Sequence, residues 1–285
     1  MPILFQKFPK IPYYSLFEVC QCLILKELWS KDSDLKITGM NESVLDKTYR
    51  EGDSGLYVKL IQEWLCFNGI GIVIDGDFGP ATDSAVRKFQ LLNLLDVDGI
   101  IGPNTFNKLI EPITRVQRSV PINGRPLNEM VAEYARQHFR ERPREIGGQN
   151  MGPWVRYYMR GNEGVDWPWC AGFISAIIRQ ACKSLRIAFP LKLSDSCIEL
   201  SKNAKASNLF LSEAELRANR SKLQPGAVFL NRTRIGYWSH TGIVVAVEDN
   251  VFHTIEGNTN DDGSAEGYEV CLRIRNYDTK DFIII

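Results

Sequence analysis

Residues 75–82 read DGDFGPAT and residues 98–105 read DGIIGPNT, so the pattern D-G-x-[F/I]-G-P-x-T occurs twice, offset by 23 residues. A repeat this short and this close fixes two copies of one local unit, a turn that opens a helix. The Asp side chain can accept from turn amides, and the glycines permit positive φ. Pro80 and Pro103 stand where the first N–H of a helix has no partner to lose. Upstream, Asp53 is placed to cap a helix whose Val58, Ile61, Trp64 and Leu65 share one face. Val86 and Phe89, then Phe106 and Leu109, supply the matching apolar positions after each repeat, so three short helices are expected around one small core.

The segments GDSGLYVKLIQEWL, DGDFGPATDSAVRKFQ and VDGIIGPNTFNKL, in this order, resemble the three-helix peptidoglycan-binding domain appended to many cell-wall enzymes. The resemblance spans residues 46–112 and implies bacterial cell-wall peptidoglycan as a partner. Before it, residues 1–45 read as a helical extension, with one helix over 15–29 capped by Ser15. After it, the proline-bearing stretch EPITRVQRSVPINGRP has no clean period, and a linker is expected at 113–126.

Composition narrows the classes of function. Lys and Arg number 34 and so do Asp and Glu, a balance that leaves no electrostatic footprint for nucleic acid or an anionic membrane. The seven cysteines are an odd number without paired CxxC spacing, so neither a disulfide scaffold nor a zinc site is read from them. No metal or cofactor is expected. No secretory signal pattern and no apolar run of membrane-spanning length is found either.

The second half turns on DWPWCAGFISAII, residues 166–178. With Trp167 as N-cap and Pro168 at the first helical position, Cys170 falls in the first turn, where free N–H groups and the helix dipole favour a thiolate. Phe173, Ile174, Ile177, Ile178, Ala181 and Leu185 continue the helix as an apolar stripe, and Cys182 on that stripe reads as packing. A helix over 127–141 carries His138 on its apolar face, again a packing position. Strands are expected at 226–231, 241–248, 250–257 and 269–275. Alternation puts His240, Gly242 and Val244 on one face, with small residues beside His240 that leave room for a backbone or a substrate. On the next strand Phe252, Thr254 and Glu256 point one way and His253 the other, which leaves His240 as the partner for Cys170.

A helix presenting a cysteine and an antiparallel sheet presenting a histidine with a polar orienter suit nucleophilic hydrolysis. NMGPWVRYYM, PWCAGFISAI, SHTGIVVAV, TIEGNTN and GSAEGYEVCLRIR resemble the CHAP family of cysteine- and histidine-dependent amidohydrolases and peptidases, over most of 127–285. The resemblance implies an α+β, papain-like catalytic domain following the small all-α domain. It makes Cys170 the nucleophile, His240 its base, and Glu256 or Asn258 the group that orients the imidazole, with Glu256 preferred and Asn258 in support. Residues 186–222 match no motif of the family. The two resemblances together imply a peptidoglycan amidase or endopeptidase acting in the periplasm or cell wall, reached by lysis or by injection, with an immunity protein expected in the latter case. The alternatives are a zinc peptidase using Cys, His and Glu ligands, and an inactive wall-binding protein.

Overall fold

A computed structural model describes residues 36–37, 40–260 and 267–285; the helix expected over 15–29 lies outside them. Two short strands, β1 (Lys36–Ile37) and β2 (Met40–Asn41), pair antiparallel, and the helices α1 (Leu56–Phe67), α2 (Pro80–Leu92), α3 (Pro103–Leu109) and α4 (Glu111–Val116) follow. Each repeat closes on a buried glutamine. Gln62 Nε2 donates to Asp75 Oδ1 (2.7 Å), the Asp77 carbonyl (3.1 Å) and Thr82 Oγ1 (3.1 Å), and its Oε1 accepts from Gly76 N (2.8 Å). Gln90 repeats the set with Asp98 Oδ1 (2.7 Å), the Ile100 carbonyl (3.0 Å), Thr105 Oγ1 (3.1 Å) and Gly99 N (2.9 Å). Asp75 and Asp98 each also accept a turn amide, and Pro80 and Pro103 open their helices as expected. Asp53 does not cap α1. Its carboxylate accepts from Arg50 N and Lys47 Nζ, while Gly55 stands at the N-cap without a side-chain bond.

The expected linker is not a free tether. Ile113 and Val116 of α4 and then Val120 are buried, and Val120 N donates to Tyr134 Oη at 3.1 Å. Helix α5 (Leu127–Arg140) carries that tyrosine, and α6 (Pro153–Tyr158) packs on both α1 and the central helix α7 (Cys170–Leu185). Trp154 of α6 lies 6.4 Å from Trp64 and 5.8 Å from Phe67 of α1, ring centre to ring centre. The cores of the two halves therefore merge into one apolar cluster. Leu35–Ile285 make up a single compact unit.

After α7 come α8 (Cys197–Ala206), β3 (Phe210–Leu211) and α9 (Glu213–Ala218), then β4 (Val228–Arg234), β5 (Tyr237–Val247), β6 (Val251–Thr259), β7 (Glu269–Asn276) and β8 (Lys280–Ile283). The last five join β3 in one antiparallel sheet of order β3-β8-β4-β5-β6-β7. The class is mixed helix and antiparallel sheet. Strand β8 has no counterpart in the sequence reading because its four residues, Lys-Asp-Phe-Ile, do not alternate; all four are buried. Helix α7 packs against β5 and β6, with Phe173, Ile174, Ile177 and Ile178 buried as their spacing predicts. Among the described residues no helix is long and apolar enough to cross a membrane.

Candidate active site

Helix α7 begins at Cys170 itself, two residues later than the sequence suggests, with Trp169 and not Trp167 at the N-cap. The reason is packing. Trp169 is fully buried, stacks on Tyr158 at 5.5 Å and donates its indole N–H to Glu145 Oε1 (2.9 Å), which anchors the chain one residue before the thiol. Cys170 thus occupies the first helical position, where backbone N–H groups lack intrahelical acceptors. The residue is almost fully buried, 5% exposed.

His240 enters from β5 and Glu256 from β6, and His240 Nε2 lies 2.8 Å from Glu256 Oε2. His240 Nδ1 is buried without a hydrogen-bond partner, and the charges that act on this imidazole are those of Cys170 and Glu256. Gly242 makes the pairing possible. A Cβ there would lie 2.6 Å from Glu256 Cγ and 2.7 Å from a ring carbon of Phe229, so the room beside His240 is taken by the carboxylate's own stem, not by an incoming substrate. Glu256 is further clamped by Arg275 of β7, whose Nε donates to Oε1 (2.8 Å) and whose Nη2 donates to Oε2 (2.6 Å), and by Thr254 Oγ1 on Oε1 (2.5 Å).

These contacts set the charges. Burial would raise the Glu256 carboxyl, but hydrogen bonds from Arg275 and His240 and their charges bring it down to about 2. Burial would lower the His240 imidazolium, but the neighbouring Cys170 and Glu256, with their negative charges, raise it to about 9. The Cys170 thiol is held well below its usual range by a hydrogen bond from Cys197, against burial, and then by His240 and the Ala171 N–H. Both shifts favour the thiolate form of Cys170 and the imidazolium form of His240.

Asn258 is near in sequence but is not joined to the ring. It is buried with φ 55°, and its carbonyl accepts from Gly267 N at 3.3 Å. His253 points away and pairs with Glu248 (2.7 Å), and His138 is a packed histidine bonded to Tyr158 Oη (2.9 Å) and Gln180 Oε1 (2.8 Å). Burial pushes the Cys182 thiol up to about 11, consistent with a packing role. Two site residues escape the sequence reading. Arg275 does so because register between strands is not local. Cys197 does so although its signal is present: Ser196 and Glu199 form the S-x-x-E start of a helix, which puts a second cysteine at a first helical position. Cys197 Sγ lies 3.8 Å from Cys170 Sγ.

Comparison with known proteins bears on the first half. Residues 54–109 match the PG_binding_1 family model for a peptidoglycan binding domain. This segment is a peptidoglycan-binding domain. The chain is 46% identical over 67 residues to the zinc D-Ala-D-Ala carboxypeptidase of Streptomyces albus G, covering 22% of this chain and 26% of that protein. It is 45% identical over 62 residues to an uncharacterized protein of Kitasatospora aureofaciens, covering 21% and 52% of the two. The matches therefore span about a quarter and about half of these relatives. Among solved structures, the SleB N-terminal domain is 35% identical, covering 24% of this chain and 93% of that one, with a TM-score of 0.23. A Burkholderia AP3 phage endolysin is 30% identical, covering 32% and 36%, with a TM-score of 0.22. The peptidoglycan-binding domain, residues 54–109, does not include the thiol site, which is left to be interpreted on its own geometry.

Proposed function

We propose that the protein is a peptidoglycan hydrolase of the CHAP type, with a papain-like catalytic half that cleaves an amide bond of the wall peptide through Cys170. One arrangement supports this reading: a buried cysteine opens a helix, its charge acts on a histidine, and that histidine's Nε2 is held by a clamped carboxylate. The peptidoglycan-binding domain supports the choice of substrate and of the cell wall as the place of action.

In the proposed cycle the Cys170 thiolate attacks the amide carbon, and the oxygen that becomes negative is met by the free N–H of Cys170. The His240 imidazolium gives its Nδ1 proton to the leaving amine as the carbon–nitrogen bond breaks. A thioester remains. Neutral His240 then takes a proton from water, the hydroxide attacks the thioester carbon, and the thiolate departs as the acid product leaves. Throughout, Glu256 fixes the ring and offsets its charge, and Arg275 keeps that carboxylate ionised and still. Amidase and endopeptidase cleavage share these steps and differ only in which bond is presented.

The test is digestion of purified cell wall with mass spectrometry of the released fragments. Wild type is expected to release peptides or muropeptides with one new amine terminus, Cys170→Ala to release none while remaining folded, and EDTA to leave digestion unchanged. Loss of activity in EDTA that zinc restores would transfer the reading to a metallopeptidase.

A further inference from the structure

The proposed cycle uses one of the two thiols that meet at the site. Cys170 opens α7 and Cys197 opens α8, so two helix N-termini converge with a sulfur at the first position of each. The segment between them is fastened at several points. Ser175 Oγ of α7 donates to the Ser194 carbonyl (2.8 Å), Asp195 is ion-paired with Arg160, and Ser196 caps α8. Cys197 is 7% exposed, and its sulfur lies 3.8 Å from that of Cys170.

We propose that Cys170 and Cys197 form a reversible disulfide on exposure to a peroxide, a modification that silences the nucleophile and protects it from irreversible oxidation. The inference rests on the reading of Cys170 as the nucleophile, but the disulfide itself is detectable without any substrate. The two sulfurs need to close from 3.8 Å to about 2.05 Å, which side-chain rotation at two adjacent helix starts can supply. Their electronic states suit the chemistry, since Cys170 is driven toward thiolate while the neighbouring anion and burial keep the Cys197 proton in place. The Cys170 thiolate attacks one peroxide oxygen, a sulfur–oxygen bond forms, the oxygen–oxygen bond breaks, and hydroxide leaves. Cys197 then attacks the Cys170 sulfur of the sulfenic acid, the sulfur–sulfur bond forms, the sulfur–oxygen bond breaks, and the second oxygen leaves as water once the Cys197 proton is transferred. In sum two thiols are oxidised to a disulfide and hydrogen peroxide is reduced to two waters. A dithiol reverses the change.

The experiment treats the full chain with equimolar hydrogen peroxide, digests it without reduction and maps cysteines by mass spectrometry, with wall-digesting activity measured before and after dithiothreitol. The expected result is a Cys170–Cys197 peptide pair lighter by two hydrogens, loss of activity in proportion to that pair, and recovery with dithiothreitol. In Cys197→Ser the pair is absent, and a second equivalent of peroxide carries Cys170 from sulfenic to sulfinic acid, which dithiothreitol does not restore. Sulfinic acid at Cys170 in the wild type at limiting peroxide, or a pair formed with Cys271 instead, would overturn the proposal. Because the mapping in wild type decides the matter, it stands even if the serine variant folds poorly. A pair that forms in a protein with no wall activity in either state would reject the hydrolase reading and leave the disulfide intact.

Discussion

At the scale of single residues, the site is a chain of charge running Arg275, Glu256, His240, Cys170, and its pH limits follow from the direction of each shift. Glu256 is depressed to about 2, so its ionised form adds stability above the ordinary carboxylate range, and that contribution is lost as pH falls through about 2. His240 is raised to about 9, so its cationic form adds stability below the ordinary histidine value, and that contribution is lost as pH rises through about 9. In the proposed cycle the imidazolium is also the proton donor to the leaving amine, so wall digestion is expected to decline as pH passes about 9. Glu256→Gln removes the negative partner. The rate should fall by on the order of 100-fold, and the alkaline limb should move to lower pH by roughly 1 unit or more. Asn258→Gly is the control, because φ 55° at that position suits glycine and no bond to the ring is lost; its alkaline limb should stay in place. A limb that moved with Asn258 and not with Glu256 would reassign the orienting role.

At the scale of elements, legibility in the sequence tracks how local each cause is. The turn Asp, the helix-opening Pro and the apolar stripe of α7 act within a few residues, and each is found where the pattern puts it. The glutamines that organise the two repeats were missed because they stand at different distances from their turns, 13 residues for Gln62 and 8 for Gln90, so no fixed period contains them. Their importance is testable. Gln62→Leu keeps the volume but leaves Gly76 N–H and Asp75 without their buried partner, and a loss of about 1–3 kcal/mol is expected in denaturant unfolding. A change within a few tenths of a kcal/mol would show that the turn holds by itself. The thiol is legible because cysteine, proline and tryptophan cluster at one helix start; Arg275, which clamps Glu256, lies 105 positions later in the chain and is set by strand register alone.

At the scale of the whole molecule, the peptidoglycan-binding domain and the half that carries the thiol site are built into one body. Arg156 of α6, 1% exposed, donates Nε to Glu42 Oε1 (2.8 Å), Nη2 to Glu63 Oε2 of α1 (2.5 Å) and Nη1 to Glu163 Oε2 (2.6 Å). One cation therefore ties the segment before α1, the peptidoglycan-binding domain and the loop leading to Cys170. Arg144 adds a second tie, donating to the Phe67 carbonyl (2.6 Å) with its guanidinium 4.7 Å from that ring. Removing residues 1–112 would strip two of the three carboxylate partners, Glu42 and Glu63, from Arg156 and uncover Trp154, so the half that carries the thiol site is expected to lose stability and not merely its hold on the wall. Arg156→Met in the full chain leaves three carboxylates around an apolar side chain, a loss of about 3–5 kcal/mol by denaturant unfolding. An unchanged midpoint in that variant would contradict the coupling of the two halves.

The central claim, that the Cys170 thiolate performs the hydrolysis, is tested most directly by matching chemical labelling to function. Iodoacetamide is added at pH 6, and the fraction of Cys170 alkylated is read by peptide mass spectrometry alongside the remaining rate of wall digestion. The account predicts fast labelling of Cys170 at a pH where an ordinary thiol is almost fully protonated, a one-to-one fall of activity with that label, and slow labelling in His240→Ala. Full alkylation of Cys170 with wall digestion undiminished would contradict it.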